Sequence, residues 1–396
     1  MTPLSALSRE RALDLLAPMT ARRPRVLRAE ALGSKWAAVT RLHLDVAVCG
    51  TGRTVVVKTT RQGAGDWGVI EHLRRERAAL NLLSGSGVAP TLLAADDEFE
   101  LIVMSDIAGA SLEAVLLGAD PVTATAAVVG LGDALGRIHV ATLGRESEHL
   151  EAMAAAGSPR RAGERYGMWT GVEGWEDVER AAFDLGLPSA RRARRDVAHV
   201  CEQLVAPGPF LALTHTDPSP PNAIVSAAGV ALVDYEGSGF RHVVLDAAWL
   251  HFPFPNYSAH YAVIPQHVIE AADAAYRARL SGAIPEATDD DQYDAMLSVG
   301  LAAALVVRAQ RLKLLASENQ QTYDSWRRRT QLHQQIQVLV QRCASKGQLS
   351  ELADWFAQLA LAMAERWPDA GTPPAPLFPA FAAGNREERR TAPAAP

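Results

Sequence analysis

Two short segments of the chain carry side chains that phosphoryl transfer requires. The first runs from His215 to Asn222 and reads His-x-Asp, then Asn five residues after the Asp, with three prolines that favour a rigid, non-helical loop. Asp217 could accept or orient the proton of a substrate hydroxyl, and the side-chain carbonyl of Asn222 could bind a metal ion. The second segment delivers Asp234 at the end of the apolar run Ala231–Val233, a hard carboxylate ligand of the kind that Mg²⁺ takes.

The part of the chain before residue 105 is predicted to form an antiparallel meander with one helix. Runs rich in β-branched and apolar residues are separated by glycine-containing turns, and the third run carries Lys58 near its end. A stretch with apolar residues at helical spacing follows it. The predicted elements, in order, are three strands, one helix and two strands at 26–31, 36–48, 53–60, 69–83, 91–95 and 99–104.

After residue 107 the pattern becomes mainly helical. An alanine-rich helix is predicted at 122–141, and an uninterrupted helical pattern runs from 289 to 315. Short strands are expected on both sides of the loop that holds Asp217. The segment 371–396, rich in proline, alanine and arginine, is predicted to be disordered.

The two motifs together resemble a known family. His-x-Asp-x4-Asn, followed after a strand by Asp-x-Glu, is similar to the catalytic signature of aminoglycoside phosphotransferases and choline-kinase-like enzymes, which are bilobal relatives of protein kinases. The resemblance covers about residues 25–250. It implies an α+β, protein-kinase-like fold, with a small lobe of antiparallel sheet and one helix at 1–107 and a mainly helical lobe at 108–370.

The resemblance also implies roles for the residues of the two motifs. Asp217 would be the catalytic base, and Asn222 and Asp234 would be the metal ligands. His215 would be the structural histidine of the loop, and Asp246 the aspartate that ties down the region after the metal ligand.

In the small lobe, the resemblance makes Lys58 the lysine that binds the nucleotide phosphates. Its acidic partner would lie on the following helix, with Glu76 preferred and Glu71 as the competitor. Backbone groups of Ser105 and Ile107 would meet the adenine edge, and the turn at Gly33-Ser34 would cover the phosphates.

Four positions depart from the pattern of the family. Thr216 stands where the family usually has glycine, Tyr235 where it usually has tryptophan, and Asp106 where an aromatic residue is frequent. The turn at 33–34 is not a GxGxxG loop.

The expected activity is ATP- and Mg²⁺-dependent phosphorylation of a hydroxyl on a small molecule. An antibiotic such as an aminoglycoside is one candidate, beside amino alcohols, sugars and nucleosides, and the choice between ATP and GTP stays open. The alternatives are a nucleotide-binding pseudokinase without catalysis and, less favoured, a protein kinase. Nothing in the sequence decides the oligomeric state.

Bulk composition narrows the cellular setting. The formal net charge of −6 disfavours a nucleic-acid partner, and 48% hydrophobic with 21% charged residues is an ordinary globular balance. Three scattered cysteines form no metal or disulfide pattern. The first residues hold no apolar leader segment, and no run is long enough to span a membrane, so we expect a cytoplasmic location.

Several other polar residues have two interpretations. His139 is expected to be a hydrogen-bonded core residue rather than a second base. His251 and His260 could line a substrate pocket or simply pack. Asp289–Asp291 could bind a cationic substrate, but acids at the start of a helix favour the positive end of its dipole, and we prefer that interpretation.

Overall fold

The computed structural model describes residues 4–32, 37–48, 50–60, 67–158, 171–252, 262–317, 325–367, 370 and 376–382. The strands are β1 Val26–Ala31, β2 Ala37–Val48, β3 Gly52–Thr60, β4 Leu92–Asp96, β5 Leu101–Ser105, β6 Ala110–Ser111, β7 Leu211–Thr214, β8 Ala223–Ser226, β9 Gly229–Leu232 and β10 Gly239–His242. The helices are α1 Ala6–Leu16, α2 Trp67–Leu82, α3 Leu112–Leu116, α4 Pro121–Thr142, α5 Glu146–Ala155, α6 Gly171–Asp184, α7 Arg194–Val205, α8 Val244–His251, α9 Gln266–Ser281, α10 Asp290–Ala309, α11 Leu312–Ser317, α12 Ser325–Lys346, α13 Ser350–Arg366 and α14 Pro379–Ala382.

The first five strands form one antiparallel sheet in the order β1-β2-β3-β5-β4, which confirms the predicted antiparallel sheet. The helix α1 before it had no counterpart in the sequence-based prediction, which placed one helix in this part of the chain. Side chains of a strand alternate between the two faces of the sheet. Val55 and Val57 of β3 are fully buried in the cluster that α1 contributes to through Leu13. Lys58, the next residue, therefore lies on the opposite face, which α2 covers.

The mainly helical lobe is built around α4. Leu131, Leu135 and Ile138 are fully buried, as the helical pattern predicts. The helix begins at Asp120, whose carboxylate accepts hydrogen bonds from the first-turn backbone. A β-carbon at Gly132 would lie 2.1 Å from the carbonyl oxygen of Ala272, so the absence of a side chain is what allows α4 and α9 to approach so closely.

Two small sheets hold the loop between β7 and β8. β7 pairs with β10, and β8 pairs with both β6 and β9, all antiparallel. The loop that carries Asp217 therefore starts on one sheet and ends on the other, and Asp234 follows the last residues of β9. β10 had no counterpart in the sequence-based prediction.

The C-terminal end of α2 and the turn after it are fixed to the helical lobe. Arg145 Nη1 donates to the carbonyl of Leu82 at 2.9 Å, and the backbone nitrogen of Leu232 donates to the carbonyl of Val88 at 2.9 Å. The hydroxyl of Tyr235 also donates to Val88. These contacts tie the helix that carries Glu76 to the strand that precedes Asp234.

The predicted uninterrupted helix at 289–315 is wrong in one respect. The structure divides it into α10 and α11 at Gln310–Arg311. Ala309 and Leu312 are both fully buried, so the apolar spacing continues across the break and the pattern does not reveal it. The start is as expected: Asp289 caps α10 by accepting a hydrogen bond from the backbone nitrogen of Gln292.

Part of the predicted disordered tail is ordered. Residues 376–382 include α14, and Leu377 forms an isolated parallel bridge with Val263. Phe378 and Phe381 are buried in the main core, which the low-complexity composition around them obscures. Residues 371–375 and 383–396 of that prediction lie outside the described residues.

Among the helices that the structure describes, none is by itself long and apolar enough to cross a membrane. In the described parts of the chain, one pair of helices, α4 and α5, reaches that length and composition when taken together, and the two are bent by 83° relative to each other.

Candidate active site

The ammonium of Lys58 lies among three carboxylates. Its Nζ is 2.6 Å from Glu76 Oε2, 2.5 Å from Asp234 Oδ1 and 2.9 Å from Glu236 Oε2. Burial alone would lower the pKa of Lys58, but the three negative charges outweigh it and raise that pKa well above its ordinary value. Lys58 is therefore a fixed positive charge at the contact between the two lobes.

Of the two candidate acids on α2, Glu76 is the one that contacts Lys58. Its side chain is 2% exposed, and burial raises the pKa of its carboxyl while the charge of Lys58 opposes that rise. Glu71 instead accepts a hydrogen bond from Ser158 Oγ at 2.6 Å and lies 3.7 Å from Arg75. The alternative left open by the sequence is thus decided by the orientation of the helix.

Glu236 is a site residue to which the sequence assigned no role. It contacts the same ammonium as Asp234. Both carboxylates are partly accessible: the side chain of Glu236 is 23% exposed and that of Asp234 is 39% exposed. The signal was available: a second acid two residues after Asp234, in a turn too short to carry it far away.

Asp234 and Thr216 both have left-handed backbone conformations, with φ of +70° and +72°. Such a conformation in a residue other than glycine costs about 1–3 kcal/mol and is concentrated at functional sites. The charge of Lys58 and its hydrogen bond lower the pKa of the Asp234 carboxyl below its ordinary value, against the effect of burial. Asp234 is therefore an ionised carboxylate in a strained backbone conformation at the start of the turn that follows β9.

Asp246 holds the backbone of the loop in this conformation. Its fully buried carboxylate accepts hydrogen bonds from the backbone nitrogens of His215 at 2.6 Å and Thr216 at 2.8 Å. His139 Nε2 lies 3.1 Å from the same carboxylate, and its other ring nitrogen lies 3.0 Å from the hydroxyl of Tyr276. His139 is thus the buried, hydrogen-bonded core residue that the sequence predicts.

His215 connects the loop to the strand that delivers Asp234. Its Nε2 lies 2.9 Å from the carbonyl oxygen of Val233, which makes this nitrogen the donor. The other ring nitrogen then accepts the hydrogen bond from the backbone nitrogen of Asp217 at 3.3 Å. The ring also packs on Tyr235, with centroids 4.6 Å apart. One imidazole therefore sets the distance between the Asp217 loop and the Asp234 turn.

Asp217 and Asn222 are held together at the open edge of the loop. Asn222 Nδ2 donates to Asp217 Oδ2 at 3.1 Å and to the Asp217 carbonyl at 3.0 Å. Asp217 is exposed to solvent, but the surrounding protein removes part of its hydration and raises the pKa of its carboxyl, with a smaller contribution from the charge of Asp234. This arrangement leaves a basic carboxylate facing solvent beside an amide.

The described residues contain oxygen donors suited to a hard cation but no preformed cage. No group of three or more His, Cys, Asp or Glu side chains in the described ranges could hold a metal ion. The donation from Asn222 Nδ2 to Asp217 leaves Oδ1 of the amide on its other side, and the backbone of Asn222 is bonded to that of Val233, next to Asp234. Two or three oxygens at an open edge fit Mg²⁺, which keeps several waters and takes phosphate oxygens.

The structure shows which backbone group of Ser105 could take part in the predicted adenine contact. The backbone nitrogen of Ser105 donates to the carbonyl of Thr91 at 2.9 Å, because β5 pairs with the start of β4 there. Of the two backbone groups of Ser105, the carbonyl is therefore the one that could meet a nucleotide, and the contact from Ser105 stays a prediction. The expected contact from the backbone of Ile107 stays a prediction.

Asp106, which departs from the family pattern, is engaged by β2. Its carboxylate makes a two-point ion pair with Arg41, at 2.8 Å to Nε and 3.1 Å to Nη2. The segment between the lobes is thus bound to the small-lobe sheet. Gly33 and Ser34, predicted to cover the phosphates, lie outside the described residues.

His251 is explained by packing rather than by a substrate pocket. Its Nε2 lies 3.0 Å from Asp273 Oδ1, and the hydroxyl of Tyr293 donates to the same oxygen at 2.6 Å. Asp273 thereby joins α8, α9 and α10 in one polar contact. His260 lies outside the described residues.

The chain matches the sequence model of a known protein family. The match is to the phosphotransferase enzyme family and covers residues 41–279, which include β3 to β5 of the sheet, the loop and Asp234. No curated protein matches the chain closely enough to count as a relative.

Solved structures align with most of this chain at low sequence identity. A choline kinase from Cryptosporidium parvum Iowa II is 13% identical, with a TM-score of 0.50, and the match covers 88% of this chain and 99% of that one. A choline/ethanolamine kinase family protein from Mesorhizobium loti is 17% identical, with a TM-score of 0.45 and coverage of 89% and 99%. A macrolide 2'-phosphotransferase from Brachybacterium faecium is 16% identical, with a TM-score of 0.45 and coverage of 88% and 98%. At 13% identity, the similarity to the Cryptosporidium enzyme concerns the fold, which is the bilobal, kinase-like α+β fold expected.

Proposed function

Because the chain belongs to the phosphotransferase enzyme family, we propose that it transfers the terminal phosphoryl group of ATP to a hydroxyl of a small molecule. The observation that carries the proposal is the approach of Lys58 to Asp234, at 2.5 Å, across the contact between the lobes. A phosphate-binding lysine and a metal-binding carboxylate that meet in this way can hold the same triphosphate from two sides.

Asp217 is the proposed base. It lies on the loop that Asp246 and His215 fix, and its carboxylate faces solvent, from which an acceptor hydroxyl can approach. A raised carboxyl pKa makes the group a better proton acceptor. Asp217 would orient the hydroxyl and take its proton as the new P–O bond forms.

Lys58 and Glu76 are the proposed phosphate-binding pair. The 2%-exposed carboxylate of Glu76 holds the ammonium in place, so that it can meet phosphate oxygens without a large change in its position. Asn222, Asp234 and Glu236 would hold Mg²⁺, which when bound neutralises phosphate charge. Catalysis would consist of positioning and charge neutralisation, with no covalent intermediate on the protein.

The proposed acceptor is a small molecule, with amino alcohols and aminoglycoside-type antibiotics as the first compounds to test. The choline kinase named above is similar in fold, and this similarity places choline on the panel. The two alternatives, a nucleotide-binding pseudokinase and a protein kinase, predict different products.

A phosphorylation screen read by mass separates these functions. The purified chain is incubated with Mg·ATP or Mg·GTP and a panel of amino alcohols, sugars, nucleosides, aminoglycosides and macrolides, beside generic protein substrates. We expect one class of small molecule to gain a single phosphoryl group, and Asp217→Asn to abolish the gain. A melting temperature raised by Mg·ATP without any product would support the pseudokinase, and label on protein alone would support the protein kinase.

A further inference from the structure

Lys58 contacts more carboxylates than its charge can balance. One ammonium faces Glu76, Asp234 and Glu236, all within 2.9 Å. Glu76 is 2% exposed and fixed on α2, whereas Asp234 and Glu236 lie on the short turn after β9 with accessible side chains. The three contacts are therefore not equivalent: one uses a buried carboxylate, and two use carboxylates that are partly accessible.

The two accessible contacts use the atoms that a divalent cation would need. Asp234 Oδ1 and Glu236 Oε2 are hard oxygen donors, and both accept hydrogen bonds from Lys58. A metal ion that bound these oxygens would lie beside an ammonium whose buried partner, Glu76, prevents it from leaving. Two cations at such a distance repel each other, so Lys58 and a free cation compete for Asp234 and Glu236.

A nucleotide changes this competition. Its phosphate oxygens are alternative acceptors for the ammonium, and they also supply ligands to the cation. Once Lys58 points to a phosphate, the oxygens of Asp234 and Glu236 no longer share their charge with it. Binding of the phosphates and binding of the cation are then linked and reciprocal.

We propose that Lys58 has a second role as a competitor of the divalent cation, which keeps Asp234 and Glu236 from binding free metal until nucleotide phosphates accept the hydrogen bonds that its ammonium donates to these two carboxylates. The protein would then load nucleotide first, or nucleotide and cation together, but not the cation alone. This inference rests on one part of the proposed function, which is that the site around Lys58 and Asp234 binds a nucleoside triphosphate with a divalent cation.

The test measures Mn²⁺ binding to the nucleotide-free protein by electron paramagnetic resonance of the unbound ion. We expect the parent chain to bind Mn²⁺ weakly and Lys58→Met to bind it at least about tenfold more tightly, equivalent to about 1.4 kcal/mol. ADP should tighten Mn²⁺ binding by a larger factor in the parent than in Lys58→Met, because the competing ammonium is already absent from the variant.

Three further variants separate competition from other effects of a lost charge. Lys58→Met leaves Glu76 as an unpaired buried carboxylate, which destabilises the fold. The double variant Lys58→Met/Glu76→Gln provides the same test in a chain without that unpaired charge. Lys58→Met/Asp234→Asn should lose the gain, because the gain uses Asp234. Lys313→Met removes a surface lysine that pairs with Asp184 and should bind Mn²⁺ as the parent does.

The inference is overturned if neither Lys58→Met nor Lys58→Met/Glu76→Gln binds Mn²⁺ more tightly than the parent. It is also overturned if Lys58→Met/Asp234→Asn keeps the tighter Mn²⁺ binding. It is also overturned if the gain disappears at high salt, because a long-range surface effect is screened whereas a direct contact is screened much less. The phosphorylation screen is a separate readout. An absence of product there would contradict the proposed function, whereas the Mn²⁺ measurements alone decide whether Lys58 competes with the cation.

Discussion

The side-chain nitrogen of Asn222 donates a hydrogen bond to the carboxylate of Asp217 at 3.1 Å, so the proposed metal ligand also positions the proposed base. The two residues are five positions apart, and the turn at 220–222 between them closes the distance. Their roles are consequently coupled, and a change at one is expected to alter the other.

Asn222→Ala tests this coupling. Loss of the amide removes an oxygen from the cation site and a donor from Asp217, and we expect kcat to fall on the order of 10²-fold, a size typical of one positioned group. Steady-state kinetics with the identified acceptor measure it, and Mn²⁺ affinity in the presence of ADP should weaken in parallel. Asn81→Ala, an exposed position on α2, is the control. A normal kcat with weakened Mn²⁺ binding would separate the two roles and contradict the coupling.

Asp217→Asn should lower kcat by about 10²–10⁴-fold with little change in nucleotide affinity, because the side chain acts on the acceptor and not on ATP. The pH profile of the parent gives a second measurement. The base must be ionised to accept a proton, and its pKa is raised. As the pH is lowered, kcat/KM should therefore begin to fall at a higher pH than it would if the base had the pKa of a free aspartate. An unchanged kcat in the variant would remove Asp217 from the mechanism.

Glu76→Gln and Glu71→Gln form a matched pair on one helix. Glu76 holds Lys58, so its loss should weaken ATP binding about tenfold, equivalent to about 1.4 kcal/mol. Glu71 bonds to Ser158 instead, and its variant should bind ATP as the parent does. Titration calorimetry with a non-hydrolysable ATP analogue measures both. Equal losses in the two variants would show that the lysine has no unique partner.

Thr216 and Gly237 are predicted to be complementary. A β-carbon at Gly237 would lie 2.3 Å from Thr216 Oγ1, so Gly237→Ala should destabilise the parent by about 1–3 kcal/mol through overpacking. The same change in a Thr216→Gly background should cost far less, since the obstructing hydroxyl is gone. Urea unfolding of the four chains gives the coupling energy. Equal costs in both backgrounds would refute the contact.

Asp246→Asn should destabilise the protein by roughly 3–5 kcal/mol, because a fully buried acceptor of two backbone N–H groups is replaced by a group that is half donor. The pKa of Asp246 is lowered in the folded state, since the hydrogen bond and charge of His139 outweigh desolvation. Its contribution is then present above the ordinary aspartate pKa and lost as pH falls through the lowered one. Urea unfolding measures the free energy of unfolding as a function of pH. The difference in this free energy between parent and variant should be large at neutral pH and smaller in acid.

The order of elements in the small lobe could be predicted because local patterns determine it. The strand that carries Lys58 is rich in β-branched residues, and the glycine-containing turn before it marks its start. The loop motif and Asp234 were recognisable because their spacing is short and the structure between them is a single hairpin.

What could not be predicted depends on tertiary packing. The choice between Glu71 and Glu76 follows from how α2 is rotated against β3, which the contacts of Leu82 and Val88 with the other lobe determine. The hydrogen bond from the Ser105 N–H to the carbonyl of Thr91 follows from the pairing of β4 with β5. Neither contact leaves a periodic signal in the sequence.

The central claim is that the chain moves a phosphoryl group from ATP to a small-molecule hydroxyl through Asp217. The most direct measurement follows the terminal phosphate of labelled ATP in reactions of the parent, Asp217→Asn and Glu71→Gln with the acceptor found by the screen. We expect labelled product from the parent and Glu71→Gln, and a rate at least about 10²-fold lower from Asp217→Asn. Label released only as inorganic phosphate, or equal product from Asp217→Asn and the parent, would contradict it.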